Sequence, residues 1–358
     1  MTVVDNLLTG RPKGAANQSW AALTQMVKRA MVGLGVVPLP FRISIDITDR
    51  CNFRCPTCSK WHRPPSPHEL GLQEWQQALE RLRGVSILRD ISICGGEPLA
   101  RPDVQQVIQL AKERGFRTTL ISNGWLIDEG LLDELERAGL NTLIISLNSL
   151  SAAVHDHSRG KPGSHERIMR LVAAWCATSR RTDLLFSTIV LEPNCGELAT
   201  LARFVRERGL RGILYQVLLP TEVHYGFSEM ATMPEITADW HESNPFWVTS
   251  LATLGQQIDE LLDLQAKGYP ILNPASQLRR FVAYYEHPGG TAKVRCLGTH
   301  FRLHVDPVGD MRLCYGFPPI GNVLRHDPRQ AWKSERAAQI RSASKDCSRP
   351  CRLLNCNL

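Results

Sequence analysis

The 358-residue sequence contains no uninterrupted apolar run near the roughly 18 residues that a membrane helix needs, so no helical span is expected. Its opening residues, MTVVDNLLTGRPKG, lack the basic-then-apolar order of a secretory signal, which makes the cytoplasm the expected compartment. The formal net charge is +7, yet cations cluster only in short runs such as Arg180 with Arg181 and Arg279 with Arg280. A nucleic-acid face needs denser basic clustering with interleaved aromatics, so these runs read as solvated surface and nucleic acid is not an expected partner. Internal repeats and low-complexity tracts are missing as well. Hydrophobic residues at 43% and charged residues at 22% describe an ordinary globular chain, long enough for one large domain or a large and a small one.

What the sequence does have is cysteine, eleven in all. Without an export signal, clustered thiols more often bind metal or act chemically than form a disulfide framework. Cys51, Cys55 and Cys58 lie within CNFRCPTC. Cys296, Cys314, Cys347, Cys351 and Cys356 lie near the end, while Cys94, Cys176 and Cys195 stand alone and read as small hydrophobes. By spacing alone the first group suits an iron–sulfur cluster, a zinc site completed by His62, or a redox dithiol of Cys55 and Cys58.

From residue 41 onward, short apolar runs alternate with stretches of helical periodicity. The strand-like runs are RISIDIT (centred on 43–48), DISIC (90–94), RTTLIS (117–122), NTLIISL (141–147), LLFSTIV (184–190) and GILYQVLL (212–219). The amphipathic stretches run from Leu72 to Leu82, Val104 to Arg114, Glu129 to Ala138, His165 to Ala177 and Leu198 to Arg208. Strict alternation predicts parallel strands with helical crossovers. An open doubly wound sheet would usually carry a dinucleotide fingerprint after its first strand, and here three cysteines occupy that place. The expected fold is therefore α/β, a partial (β/α)6 TIM-like barrel with a small cysteine-rich α+β module at the C-terminus.

The expected divisions are an N-terminal helical extension (1–40), the barrel (41–225), a helical linker region (226–290) and the C-terminal module (291–358). In the extension, Trp20, Leu23, Val27 and Met31 fall on one helical face. In the linker region a helix is expected around 249–266. In the module, FRLHVDPVGDMRLCY reads as a hairpin with a turn at Asp306-Pro307 and Gly309-Asp310, followed by a helix around 329–343.

Loops after the strands of such a barrel build the active site. Gly95, Gly96, Glu97 and Pro98 follow the second strand, with glycines for a tight backbone approach and a carboxylate suited to an ammonium group. Ser122 and Asn123 follow the third strand, and Ser146 and Asn148 the fourth. Singly each is an ordinary turn or cap residue; on consecutive strands they line a polar ligand.

Taken together, CNFRCPTC with its CxxxCxxC spacing, GGEP and the six strand–helix units resemble the radical S-adenosylmethionine (SAM) superfamily over roughly residues 41–220. The resemblance implies that Cys51, Cys55 and Cys58 hold a 4Fe–4S cluster whose open iron takes the amino and carboxylate groups of SAM. It implies that Glu97 holds the amino group, that Phe53 lies near the adenine, that Ser146 or Asn148 approaches the ribose or methionine, and that Arg159, in HDHSRGKPGSHE, meets the methionine carboxylate. Reductive cleavage of SAM to a 5′-deoxyadenosyl radical, fed by an electron donor such as flavodoxin or ferredoxin, would then begin a hydrogen abstraction. Cys296, Gly309 and Cys314, with IGNV at 320–323, resemble the SPASM or twitch module. The shortened set Cys347, Cys351 and Cys356 implies one auxiliary 4Fe–4S cluster, ligated by four of the five cysteines and accepting an electron from the substrate; a structural zinc site is the other use of the same thiols.

The forty N-terminal residues look too short and too helical for a leader-binding domain, so a small natural-product substrate is expected. A peptide-modifying enzyme is the alternative, and a non-enzymatic zinc or iron–sulfur protein the alternative of another class. Tyr215, Gln216, His224, Tyr225 and Trp240 are read first as packing residues and second as a substrate-side lining.

Overall fold

The computed structural model describes residues 26–58, 60–62, 64–220, 239–293 and 296–351. Its first half is a run of strand–helix units: β1 (Arg42–Thr48), α1 (Leu72–Leu82), β2 (Asp90–Gly95), α2 (Val104–Glu113), β3 (Arg117–Ser122), α3 (Glu129–Arg137), β4 (Thr142–Ser146), α4 (Ala152–Arg159), α5 (Ser164–Ala177), β5 (Asp183–Val190), α6 (Leu198–Glu207) and β6 (Gly212–Val217). Every neighbouring pair from β1 to β6 is parallel, as the alternation predicts.

Side chains on a strand alternate between faces, and that alternation separates two interiors here. Ile43, Ile45 and Ile47 on β1, Ile91 and Ile93 on β2, Leu143 and Ile145 on β4, and Ile213 and Tyr215 on β6 join the main core with the helices. The intervening residues face the other way. Ile144, Leu185 and Leu214 form a separate apolar cluster with Leu272, against which Ile121 packs. The helices supply complementary faces: Trp75, Ala78, Leu79 and Leu82 of α1 are buried at helical spacing. Asp128 caps α3 by accepting from Leu131 N at 2.8 Å.

After β6 come α7 (Leu251–Ala266), α8 (Ala275–Leu278), α9 (Phe281–Glu286) and α10 (Gly298–Phe301), then β7 (Arg302–Val305), β8 (Asp310–Arg312), β9 (Gly321–Asn322), α11 (Pro328–Lys333) and α12 (Glu335–Ala343). The hairpin read from the sequence is present, with β7 and β8 antiparallel. It does not form a sheet of its own. β7 pairs in parallel with β1, Arg42 opposite Arg302 and Ser44 opposite His304, so one nine-stranded sheet runs β6-β5-β4-β3-β2-β1-β7-β8-β9. The helix expected around 329–343 is two, broken at Ser334, whose hydroxyl accepts from Ala337 N at 3.2 Å and caps the second.

Three local features depart from the periodicity. The α4 helix is not among the stretches of helical periodicity, because AAVHDHSR is mostly polar. It is held by the Asp156 carboxylate, which accepts from Gly163 N at 2.6 Å and from Ser164 Oγ and His165 N at 2.8 Å. In the helical stretch over 26–33, the face is turned by one residue. Val27 is exposed, while Lys28 and Val32 are buried, the Lys28 ammonium 5.4 Å from the Phe41 ring and 5.5 Å from that of Phe301. Trp20 and Leu23 lie outside the described residues. Cys176 is exposed on α5 rather than packed in the core.

The β6 edge is covered by side chains and a short backbone bridge. Asn273 accepts from Tyr215 N at 2.7 Å and donates to Tyr215 O at 2.8 Å, imitating a neighbouring strand, and Ile271 bridges Ile213.

Candidate active site

The cysteine loop leaves β1 and is pinned from two sides. Glu69 accepts from Thr48 Oγ1 at 2.9 Å and from Asp49 N at 2.7 Å. On the other side, Gly96 N donates to Thr48 O at 2.8 Å and Glu97 N to Arg50 O at 2.7 Å. Glycine is required for this contact. A Cβ on Gly95, whose φ is +133°, would fall 2.3 Å from Thr48 O, and one on Gly96 would fall 2.2 Å from Arg50 O.

Within the loop, backbone groups are satisfied locally. Cys58 N donates to Cys55 O at 3.1 Å, Arg54 Nη1 to Cys51 O and Phe53 O at 2.9 Å, and Trp61 Nε1 to Cys55 O at 2.9 Å. The three thiols lie within this network, and the Phe53 backbone donates to the Cys51 sulfur. Burial pushes the Cys51 thiol up to about 11, and the nearby Glu97, Cys55 and Cys58 add like charge. Burial also raises Cys55, with the Arg159 guanidinium opposing it. A bound metal would offset this cost by stabilising the thiolate directly. Zinc would need each ligand about 2 Å from one centre. Among the described residues no three His, Cys, Asp or Glu side chains are gathered around one position for a metal of any kind, and His62 is exposed, its ring tilted at 43° to that of Trp61 with centroids 3.9 Å apart.

Glu97 is buried beside this loop. Its carboxylate accepts from Ser122 Oγ at 2.8 Å, Asn123 N at 2.7 Å and Leu99 N at 3.2 Å, while burial raises its pKa against those donors and Arg159. The Asn123 amide donates to Asn52 Oδ1 at 2.8 Å, tying the third strand's end to the cysteine loop. Phe53 is buried, edge-on to Trp125 at 6.0 Å, with the Arg159 guanidinium 5.7 Å from its ring. Two buried polar atoms here have no partner, Arg159 Nε and Asn52 Nδ2. Buried polar groups are almost always paired, so orphaned donors flanking a carboxylate and three thiols fit a polar, partly anionic ligand such as an amino acid.

Ser146 is half-buried on β4, opposite Ser187 of β5. Asn148 is fully engaged by protein. Its N donates to His155 Nδ1 at 3.1 Å, its Nδ2 to Ser158 Oγ at 3.0 Å, and its Oδ1 accepts from Ile189 N at 3.1 Å. It thereby anchors α4, the helix that ends in Arg159. Burial is the main cause that lowers His155 to about 3, with the Arg159 and His165 charges adding to it. This imidazole therefore serves as a neutral acceptor.

In the C-terminal module, Cys296 precedes α10, Cys314 follows β8, and Cys347 and Cys351 follow α12; all four are partly buried. Gly316 N approaches Cys314 Sγ at 3.4 Å. Cys356 lies outside the described residues, as do His224 and Tyr225. Tyr215 is a core residue whose hydroxyl donates to Leu198 O at 2.6 Å. Gln216 is half-buried and donates to Ser187 Oγ at 2.9 Å. Trp240 packs edge-on to Trp247 at 5.1 Å.

Sequence reasoning missed a group on the inner face of β1. Asp46 is buried, accepts from Tyr315 Oη at 2.9 Å and Cys94 Sγ at 3.1 Å, and pairs with Lys60. Burial opposes ionisation of both partners. The ion pair outweighs it, holding Asp46 below and Lys60 above their ordinary values. One signal was available: a lone carboxylate among the isoleucines of RISIDIT, at an inward position.

Comparison with known proteins agrees with this architecture. The family model for the Radical SAM superfamily matches residues 45–204, and that for the SPASM iron–sulfur cluster-binding domain matches residues 296–357. The AdoMet-dependent heme synthase of Methanosarcina barkeri is 31% identical over 305 residues, 82% of each chain. The PqqA peptide cyclase of Ruegeria pomeroyi is 30% identical over 179 residues, 49% of this chain and 46% of that one. Among solved structures, Streptococcus suis SuiB bound to S-adenosylmethionine superposes with a TM-score of 0.63 at 16% identity, covering 88% of this chain and 70% of that one. AnSMEcpe with bound AdoMet and a peptide gives 0.61 at 13%, covering 86% and 83%. The matched domains bring SAM and a 4Fe–4S cluster to the barrel and auxiliary iron–sulfur to the tail. The chain is an enzyme of the radical SAM superfamily with a C-terminal SPASM domain.

Proposed function

We propose that this enzyme modifies a peptide, beginning with hydrogen abstraction at a site between the cysteine loop and the C-terminal module. The observation that carries the reading is the likeness to PqqA peptide cyclases, at 30% identity over 179 residues. The fold shared with SuiB, which has been solved with its precursor peptide, is compatible with it.

Cys51, Cys55 and Cys58 would hold the cluster, and Glu97, Ser122, Asn123 and Arg159 would surround the amino and carboxylate groups of SAM, near Phe53. When bound, this pair supplies a 5′-deoxyadenosyl radical by one-electron cleavage of the sulfonium. The chain's own contribution is positional. Glu97 is fixed by three donors and brought against the thiol loop by Gly95 and Gly96, and Arg159 is carried at the end of a helix anchored through Asn148, where a Cβ on the next residue, Gly160, would fall 2.4 Å from Arg54 O. Four of Cys296, Cys314, Cys347, Cys351 and Cys356 would ligate one auxiliary cluster.

A small-molecule substrate is the second reading. The heme synthase alignment favours it, because it extends over 82% of both chains. Anaerobic incubation with SAM and a strong reductant tests both. Release of 5′-deoxyadenosine is expected, and deuterium passed into it from labelled peptides, but not from labelled small acids, would support the first reading. The reverse would support the second. No 5′-deoxyadenosine from protein with both clusters filled would sink both.

A further inference from the structure

The helical stretch over 26–33 turns its more apolar side outward. Val32 packs with Leu297 and Phe301, and Lys28 faces the Phe41 and Phe301 rings. Met26, Val27 and Ala30, at spacings that return to one side of a helix, are exposed. Leu34 N donates to Ala30 O at 2.9 Å and Val36 N to Met31 O at 2.8 Å, closing a turn that carries Leu34, Val36 and Val37. The loop before β2 is stitched to the same segment, with Ser86 Oγ donating to Phe41 O at 2.6 Å and Ile87 N to Pro40 O at 2.9 Å. Among the described residues seven large apolar side chains are exposed. Six of them lie here: Met26 (62%), Val27, Leu34 (81%), Val36, Val37 and Ile87 (51%), with Leu126 the seventh. Single apolar residues scattered over a surface need no explanation, but a gathered set marks an interaction site.

The charge around this patch has one sign. From residue 6 to residue 45 the sequence has five Lys or Arg and no Asp or Glu, and residues 81–89 have three Arg and again no acid. Arg29, Arg83 and Arg89 are exposed. The α11 helix is held at the rim by Trp332 Nε1 on Pro38 O at 2.8 Å and by Arg329 Nη2 on Gly84 O at 2.6 Å, and it adds the exposed Arg329. The flanking carboxylates are already engaged. Asp90 is buried against Arg42 at 3.6 Å, and Glu80 lies between Arg114 at 3.2 Å and Arg83 at 3.7 Å. Asp327 caps α11, accepting from Gln330 N at 2.8 Å. Among the described residues no carboxylate pairs with Arg29, Arg89 or Arg329.

We propose that this patch docks the protein on the surface of an anionic lipid bilayer. The aliphatic side chains enter the boundary between headgroups and acyl chains, and the arginines meet the lipid phosphates. Exposed hydrocarbon rimmed by cations, with no acid to repel the headgroups, is the combination that interfacial anchoring requires. A second copy seated symmetrically on the same patch would instead set arginine against arginine. The patch lies before the first residues of β1 and β2, whereas the cysteine loop and GGEP leave their far ends, about 20 Å away along the 7-residue β1. The active site therefore stays clear of the bilayer in the docked protein.

The test is sedimentation of the full-length, anaerobically reconstituted protein with sucrose-loaded vesicles of phosphatidylcholine, alone or with an equal part of phosphatidylglycerol. Affinity for the anionic vesicles is expected to be about tenfold or more the greater at about 0.1 M salt, and to fall as salt rises. The double variant Leu34→Glu with Val36→Glu should abolish binding. Arg29→Gln with Arg89→Gln should lower affinity for the anionic vesicles about tenfold or more. Circular dichroism and iron content verify that each variant is folded and loaded. No sedimentation of the wild type, equal affinity for the two vesicles, or undiminished binding by the folded glutamate variant overturns the proposal. So does a lipid-free dimer, seen by analytical ultracentrifugation, that the glutamate variant makes monomeric, because the patch would then join two copies. Absence of 5′-deoxyadenosine formation would instead overturn the functional reading, since vesicle binding is measured without turnover.

Discussion

The two cysteine regions of this molecule are built on opposite plans. The first places three thiols within eight residues, on a loop whose backbone is clamped by Glu69 and by the Gly95-Gly96 turn. The second distributes its cysteines from Cys296 to Cys351, on the ends of a helix, a hairpin and a second helix, with Cys356 beyond the described residues. A compact motif needs only one rigid turn, whereas a dispersed one needs the whole module to be packed before its ligands can meet. The module is packed by joining the barrel: β7 extends the same sheet through β1, Leu70 N donates to Pro307 O at 2.7 Å, and Trp332 Nε1 donates to Pro38 O at 2.8 Å.

The largest expected difference between the regions is in cofactor loading. With both clusters filled the protein should hold about eight irons, and both Cys51→Ala and Cys314→Ala should reduce this towards about four. Only Cys51→Ala should abolish 5′-deoxyadenosine formation, by iron analysis and chromatography. Equal loss in the two variants would make the regions interdependent.

The glycines sharpen the contrast next. Gly96→Ala forces a Cβ against the Arg50 carbonyl, a backbone atom, and should lower SAM binding by more than tenfold or prevent folding. Gly309→Ala meets only the side chains of Leu70 and Asn322, both at 3.2 Å, though at a φ of +87°. It should cost about 1–2 kcal/mol in denaturant unfolding and leave iron content intact.

Acidification should then act on the regions with opposite signs. His155, near the first, is held at about 3 against an ordinary 6.5, so the unfolded state binds the proton first. Stability is lost as pH falls from about 6.5 towards 3, by about 2 kcal/mol at pH 5 for this group, and His155→Gln should flatten that limb. Asp306, in the turn of the second region, is pushed up by burial to about 6 despite Arg312. Its ionisation opposes folding, so its contribution falls as pH rises from about 4 to about 6. Melting temperatures of His155→Gln and Asp306→Asn against pH would separate the two slopes.

The smallest effect is expected at the seam's exposed rim. Arg329 Nη2 donates to Gly84 O at 2.6 Å, and Arg329→Ala should change unfolding free energy by no more than about 0.5 kcal/mol.

Much of the barrel was readable from periodicity, because its strands are apolar on the outer face and its helices carry one buried stripe. The strands read at 117–122 and 184–190 appear as Arg117–Ser122 and Asp183–Val190. The helix α4 was not readable, since Asp156 and its three donors, rather than an apolar stripe, hold it in place. The three-cysteine loop and GGEP were legible as local spacing. Asp46, Lys60, His304 and Tyr315 were not, because they are separated by up to 269 residues and meet only across strands.

By itself, the sequence placed three thiols on one loop, two glycines and a carboxylate on the next, and polar residues at the ends of the strands after that. Those depend on local backbone geometry and on alternation along a strand, both of which are properties of neighbouring residues. Tertiary structure alone decided that the C-terminal hairpin would pair with β1, and so that a residue following Cys314 would share a buried carboxylate with one following Cys58. Strand pairing between residues so far apart is selected by burial of whole faces against each other, which no local pattern encodes.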